Sequence, residues 1–186
     1  MHIREMDFRQ SWTTEVMHAL DGGIERCTSG TPDGLDGLEH AEEIVGLAFV
    51  ALQTYVAATE ADLQVVFPTL TAHKAFRQRH SAEISGVTYV EAICAAANFY
   101  KHREEPGGCR ASTINPLTML GITQSTEFPC VGVHKLMSAG SYKLAHLAQV
   151  VFSWRQQWLS QLREEALKQG QGKPISSCSS EESVAN

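Results

Sequence analysis

No two of the five cysteines (Cys27, Cys94, Cys109, Cys130, Cys178) stand at C-x-x-C spacing, and the odd count leaves a thiol unpaired within the chain. This argues against a disulfide framework and for free thiols in a reducing compartment. A basic excess is also lacking. Lys plus Arg number 15 against 21 for Asp plus Glu, a net charge of -6. Broad, non-specific nucleic-acid binding needs many phosphate contacts and is thereby disfavoured, although a small local cationic site is not. The start, Met1 to Asp7, carries no apolar signal core, so secretion is not expected. The longest weakly polar stretch, Ile44 to Ala58, contains Gln53, Thr54 and Tyr55 and reads as too short to span a bilayer. A soluble cytoplasmic protein with no membrane partner is therefore expected.

Several chemical signatures are missing as well. There is no H-E-x-x-H and no carboxylate cluster, and His134 and His146 show no ligand spacing. No metal and no cofactor are expected. Gly107-Gly108 follows no strand, no G-K-S/T exists, and no G-x-S-x-G elbow appears, which removes phosphate-loop and serine-hydrolase readings.

What is present is helical. Apolar residues make up 43% of 186, enough for one sizeable core. Period 3.6 dominates and no sustained period-2 alternation occurs. An all-α bundle of about four to five main helices with short accessory helices follows. One domain over residues 1–168 and a disordered Gly-, Ser- and charge-rich tail over 169–186 are expected.

A first helix runs from about Met6 to Leu20 and ends at Asp21-Gly22-Gly23. Thr28 to Gly34 is loop chemistry. A second starts near Asp36, with Glu39 at capping-box spacing, and reaches about Thr59. Its stripe is Leu38, Ala41, Val45, Ala48, Leu52, Tyr55 and Val56, which places it centrally. Pro68 marks a break, and a short polar helix follows over about Leu70 to His80. A third major helix spans about Gly86 to Glu104, stopped by Pro106. Asn115-Pro116 reads as N-cap and first-turn proline of a short helix to Leu120. Thr123 to Cys130 reads as irregular, and Val131 to Ala139 as another short helix. The last long helix opens near Ser141 and carries Leu144, Leu147, Val151, Trp154, Trp158 and Leu162 at three- and four-residue steps.

The chemistry concentrates at Asn98-Phe99-Tyr100-Lys101-His102-Arg103, where an amide, an imidazole and two cations close an alanine-rich helix before Pro106-Gly107-Gly108. Asn98 and His102 are four apart and project from one face, with Glu91 and Cys94 on the same stripe. Buried polar groups need partners, so this stripe either bonds within the bundle or faces a cleft. Imidazole serves as acid or base near neutral pH, and Lys101, Arg103 or Arg110 could hold a phosphate beside it. The same residues also fit plain helix-end chemistry: cations at a C-terminus complement the dipole, and Asn98 could be a bonded core amide. His73, Lys74, Arg77, Arg79 and His80 form a basic patch that reads as a solvated face.

Ala97-Asn98-Phe99-Tyr100-Lys101-His102 resembles the signature region of HEPN domains. In that family an arginine, a polar residue and, after a few more residues, a histidine lie late in a core helix. The resemblance implies a four- or five-helix bundle, metal-independent RNA cleavage through the 2′-hydroxyl, and a bacterial toxin–antitoxin or antiviral defence setting. It also implies two sites meeting across a homodimer. Asn98 matches the polar position and His102 the histidine, whereas the arginine position is Ala97. The missing cation would have to come from Lys101, Arg103 or Arg110. The helix end is also similar to that of uncharacterised bacterial proteins with an A-N-[FY]-x-K-H-R pattern.

On this resemblance His102 is the general acid or base, Asn98 orients it or binds phosphate, Lys101, Arg103 and Arg110 stabilise phosphate charge, and Glu91 supports the site. The substrate would be RNA and the assembly a homodimer, which Trp154 and Trp158 also suggest if one chain cannot cover them. The competing expectation is a non-catalytic binding module (an immunity, antitoxin-like or adaptor protein) that meets a protein partner through a bundle face.

Overall fold

The computed structural model describes residues 7–29, 34–66, 73–123, 125–138 and 143–171. Seven helices and one small hairpin make up the described residues: α1 (Phe8–Thr28), α2 (Gly34–Val66), α3 (His73–Arg77), β1 (Glu83–Ile84), β2 (Val87–Thr88), α4 (Tyr89–His102), α5 (Ala111–Met119), α6 (Pro129–Met137) and α7 (Ala145–Gln171). The protein is an all-α helical bundle.

The centre is built by α2 and α4. Helix α2 packs on α1, α4, α6 and α7, and α4 meets α2, α5, α6 and α7. Val90, Ala92, Ile93, Cys94, Ala95, Ala96 and Ala97 of α4 are all buried, as its small side chains allow close approach on more than one side. Closest contact is at Gly46 of α2. A Cβ there would stand 2.1 Å from the Tyr100 ring, so the ring lies directly on the α2 backbone.

Helix α1 does not stop at Asp21-Gly22-Gly23 but continues to Thr28. Asp21 is drawn into a tertiary role instead, its carboxylate accepting the Leu144 N–H at 2.6 Å and the Ala145 N–H at 3.3 Å at the start of α7. Gly23 is an approach point: a Cβ there would meet Ile44 of α2 at 3.0 Å. Helix α6 is capped in the same way. Glu42 of α2, buried, accepts the N–H groups of Cys130 and Val131 at 2.8 and 2.9 Å. Neither cap is local, so the positive helix ends are neutralised by carboxylates from distant chain.

Helix α2 covers 33 residues, well beyond the expected end at Thr59. It is thus long and apolar enough to cross a membrane, contrary to the length expected, although half of its most apolar window is buried inside the bundle. Two further polar groups on it are buried and paired. Glu60 receives Arg77 through both Nε (2.6 Å) and Nη2 (2.9 Å), and Tyr55 donates to Asp7 at 2.5 Å. Asp7 also meets the buried Arg155 of α7, which ties α1, α2 and α7 at one end.

The helix expected from Gly86 is preceded by strand. Ser85 and Gly86 both have positive φ (53° and 79°) and form a two-residue hairpin turn, with Ile84 opposite Val87. Thr88 then caps α4, and Glu91 completes a reciprocal capping box. β-branched Val87 and Thr88 favour the extended start. Helix α5 also opens earlier than expected. It begins at Ala111 with Arg110 in the N-cap position, which puts Pro116 inside the helix and leaves the Ser112 carbonyl without its helical donor. Helix α6 starts at Pro129, two residues ahead of expectation and with proline in the first turn. Helix α7 runs to Gln171, so the first tail residues are helical. The rest of the expected tail, Pro68, Ser141 and Cys178 lie outside the described residues.

Trp154 and Trp158 are fully buried, and both indole N–H groups donate to the Phe76 carbonyl, at 3.0 and 3.3 Å. One chain covers them, so they give no reason for a dimer. The basic patch is also partly internal: Arg77 binds Glu60, and His80 packs edge-on against Trp158 while bonding Gln161 at 2.7 Å.

Candidate functional site

The chain leaves α4 at His102 and returns through a tight loop. Glu105 N–H donates to the His102 carbonyl at 3.1 Å, and Gly108 N–H to the Glu105 carbonyl at 2.9 Å. Gly107 and Gly108 have φ of 96° and 67°, backbone that an L side chain rarely adopts, and Pro106 bars further helix. This reversal brings Arg110 and the start of α5 back beside the end of α4.

A pocket of about 280 Å³ results, lined by Asn98, His102, Glu105, Arg110, Ser112 and Thr113, with Gly108 at its edge. His102 is held through Nδ1 by the Glu105 carboxylate at 2.7 Å, and its side chain is 45% exposed. The contact leaves Nε2 as the nitrogen for a ligand. The N-cap residue of α5, Arg110, makes no side-chain cap bond, and the positive end of the helix lies at this pocket. An anion is the complementary ligand for that arrangement, placed within reach of an imidazole.

Asn98 is oriented from below. Gln53 of α2 donates through Nε2 to Asn98 Oδ1 at 2.9 Å and to the Cys94 carbonyl at 3.3 Å. With its oxygen so occupied, the Asn98 amide keeps both N–H donors for the pocket. Lys101 Nζ donates to Gln53 Oε1 at 2.7 Å, completing a Lys101–Gln53–Asn98 chain.

Of the residues marked by the sequence, Asn98, His102 and Arg110 therefore meet. Glu91 lines a second, larger pocket of about 470 Å³ that shares Asn98 and Ser112 with the first, while also capping α4. Together the two make one groove between α4 and α5. Lys101 is turned to α2. Arg103 is turned away too: it pairs with Glu43 and stacks over the Tyr100 ring, 4.8 Å from its centroid, in a separate, acidic pocket with Glu39 and Glu127. The Arg103 guanidinium holds the Glu43 carboxyl below its ordinary range. Ala97 is fully buried and forms no part of the groove.

Glu105, Ser112 and Gln53 also belong to the groove or its support, without standing out in the sequence pattern. Glu105 carries a readable signal, three residues after His102 on the far side of the helix end. Gln53 carries a weaker one, a lone amide in a helix whose neighbouring turns are apolar. Ser112 has none.

Cys94, Cys109 and Cys130 show no nucleophile's environment. Burial pushes Cys94 up to about 12 and raises Cys109 and Cys130 as well. Among the described residues no three His, Cys, Asp or Glu side chains gather as metal ligands would. Compared with known proteins, the chain matches no family model, no curated protein and no solved structure.

Proposed function

We propose that this protein is a HEPN-like, metal-independent endoribonuclease of a bacterial defence or toxin–antitoxin system, acting in the cytoplasm through the α4–α5 groove. The observation that carries the reading is His102, held through Nδ1 by Glu105 in an open pocket that Arg110 and Asn98 also line.

The chemistry follows from these groups. His102 Nε2 takes the proton of an RNA 2′-hydroxyl. The 2′-oxygen bonds to the adjacent phosphorus, the bond from phosphorus to the 5′-oxygen breaks, and solvent returns a proton to that leaving oxygen. A cyclic phosphate remains. Arg110 and the Asn98 amide stabilise the charge that grows on the phosphate oxygens. Arg110 takes the place of the family arginine that Ala97 lacks. Glu105 orients the imidazole and stabilises it once protonated. The reading includes a homodimer, as in the family it resembles.

The test is cleavage of single-stranded RNA in chelator by wild-type protein and His102→Ala. A loss of roughly 10²- to 10⁴-fold, the usual worth of a general acid or base, is expected. Equal cleavage by both proteins would remove His102 from the chemistry.

A second reading, the non-catalytic immunity, antitoxin-like or adaptor module, is favoured by a different observation. Phe8, Trp12 and Val16 stand exposed at four-residue steps on α1, with Trp12 72% exposed. On that reading Trp12→Ala loses a protein partner and His102→Ala changes nothing.

A further inference from the structure

We infer that the larger pocket of the α4–α5 groove recognises a single unpaired guanine base. This rests on the reading of the groove as an RNA site and adds the base that it selects.

The pocket holds about 470 Å³, within the usual range for one small ligand and too little for a duplex. Val87, Ala95, Pro116 and Met119 give it an apolar side, and Arg77, Gln78, Ser112 and Asn115 line it beside Glu91 and Asn98. Met119 is 53% exposed at the rim and lies across Gly86, where a Cβ would stand 3.1 Å from its terminal methyl carbon. A flat base can therefore lie against Ala95 with the polarizable thioether over it, a contact that aromatic rings favour. RNA-binding proteins take unpaired bases in this manner, burying the faces and reading the edges.

The polar groups select among the bases. Glu91 Oε2 accepts the Thr88 N–H at 3.2 Å. The Thr88 hydroxyl stands equally near that oxygen but gives its proton to the Arg77 carbonyl at 2.7 Å. No hydrogen bond reaches Oε1 among the described residues, the Arg77 guanidinium in the same pocket acts on the carboxylate through space, and Oε2 retains lone-pair capacity. The carboxylate thus offers acceptors side by side. Only guanine presents two adjacent donors, N1–H and the 2-amino group, on its Watson–Crick edge. Its O6 acceptor lies next to them, and the Asn98 amide, whose oxygen is taken by Gln53, supplies donors from the same pocket. Adenine would set its N1 lone pair against the carboxylate, and cytosine and uracil each offer a single donor group.

The spacing also serves the reaction. Glu91 and His102 are eleven residues apart on one helix face, about 16 Å along the axis. Asn98 lies between them and lines both pockets. A nucleotide with its base beside Glu91 would direct its phosphate towards Asn98, His102 and Arg110.

The experiment is calorimetric titration of the full chain with guanosine, adenosine, cytidine and uridine, nucleosides that carry no phosphate. Guanosine should bind roughly 5- to 150-fold more tightly than the others, the discrimination of one bidentate base contact. Glu91→Gln, which can still cap Thr88, should bring the four within about 2-fold of one another. Met119→Ala should weaken all four alike and keep the preference. Equal affinities in wild-type protein, or a guanosine preference that survives Glu91→Gln, would overturn the inference. Nucleoside binding requires no catalysis, so the two proposals fail separately. Guanosine selectivity without RNA cleavage contradicts the nuclease alone, and RNA cleavage without guanosine selectivity contradicts the base pocket alone.

Discussion

At the scale of the residue, buried polar groups do most to hold the helix ends in place. Glu42 satisfies two N–H groups that open α6, whose own N-cap residue, Phe128, has no side chain that could do so. Glu42→Ala should cost roughly 2–4 kcal/mol in urea unfolding, because two buried donors lose their acceptor, while Glu42→Gln keeps an acceptor and should cost less. An equal loss for the two variants would contradict the capping role. His134 gives a pH dependence. It is buried, and burial lowers its pKa from the ordinary 6.5, with Asp21 and the Lys143 backbone opposing. The folded state then binds fewer protons than the unfolded chain in the window below about 6.5. Its contribution is complete above that value and is lost as pH falls through the window. Melting at pH 7.5 and 5.5 should show a smaller drop for His134→Gln than for wild-type protein.

The element scale separates what the sequence makes legible from what it hides. The helical character, the central place of α2, and the shared face of Asn98 and His102 follow from period and spacing alone, whereas the equally central place of α4 does not. The direction taken by the neighbouring cations does not. Lys101 and Arg103 are adjacent to His102 in sequence, yet turn to Gln53 and Glu43 on α2, partners 48 and 60 residues away. Arg110 arrives only because two left-handed glycines reverse the chain. Asp21-Gly22-Gly23 reads as a stop, but α7 recruits its carboxylate from more than a hundred residues on. Ser85-Gly86 contains a turn signal, obscured by the apolar run that follows. The α2–α4 contact offers a test of this packing. Gly46→Ala would gain up to about 1 kcal/mol of helix propensity. It should nonetheless destabilise by roughly 1–3 kcal/mol, since the Tyr100 ring must leave its seat. In a Tyr100→Ala background the same change should be neutral or stabilising. A destabilisation unchanged by Tyr100→Ala would place the clash elsewhere.

Across the whole molecule, the exposed large aromatics among the described residues lie on α1. Trp154 and Trp158 are enclosed, whereas Phe8 and Trp12 are left open to solvent. On the proposed HEPN-like reading the protein is a homodimer, so light scattering should give twice the chain mass at micromolar concentration; a monomeric mass throughout that range would contradict it. On the proposed reading, function resides in the α4–α5 groove, where Arg110 and not Arg103 serves His102. The most direct measurement is RNA cleavage in chelator by Arg110→Ala and Arg103→Ala beside wild-type protein, each corrected for its folded fraction. Arg110→Ala should lose at least about 10-fold, as expected for removal of a group that stabilises developing charge, and Arg103→Ala should stay close to wild type. Loss in Arg103→Ala with full activity in Arg110→Ala would place the chemistry on the α2 side of the helix end and contradict the groove.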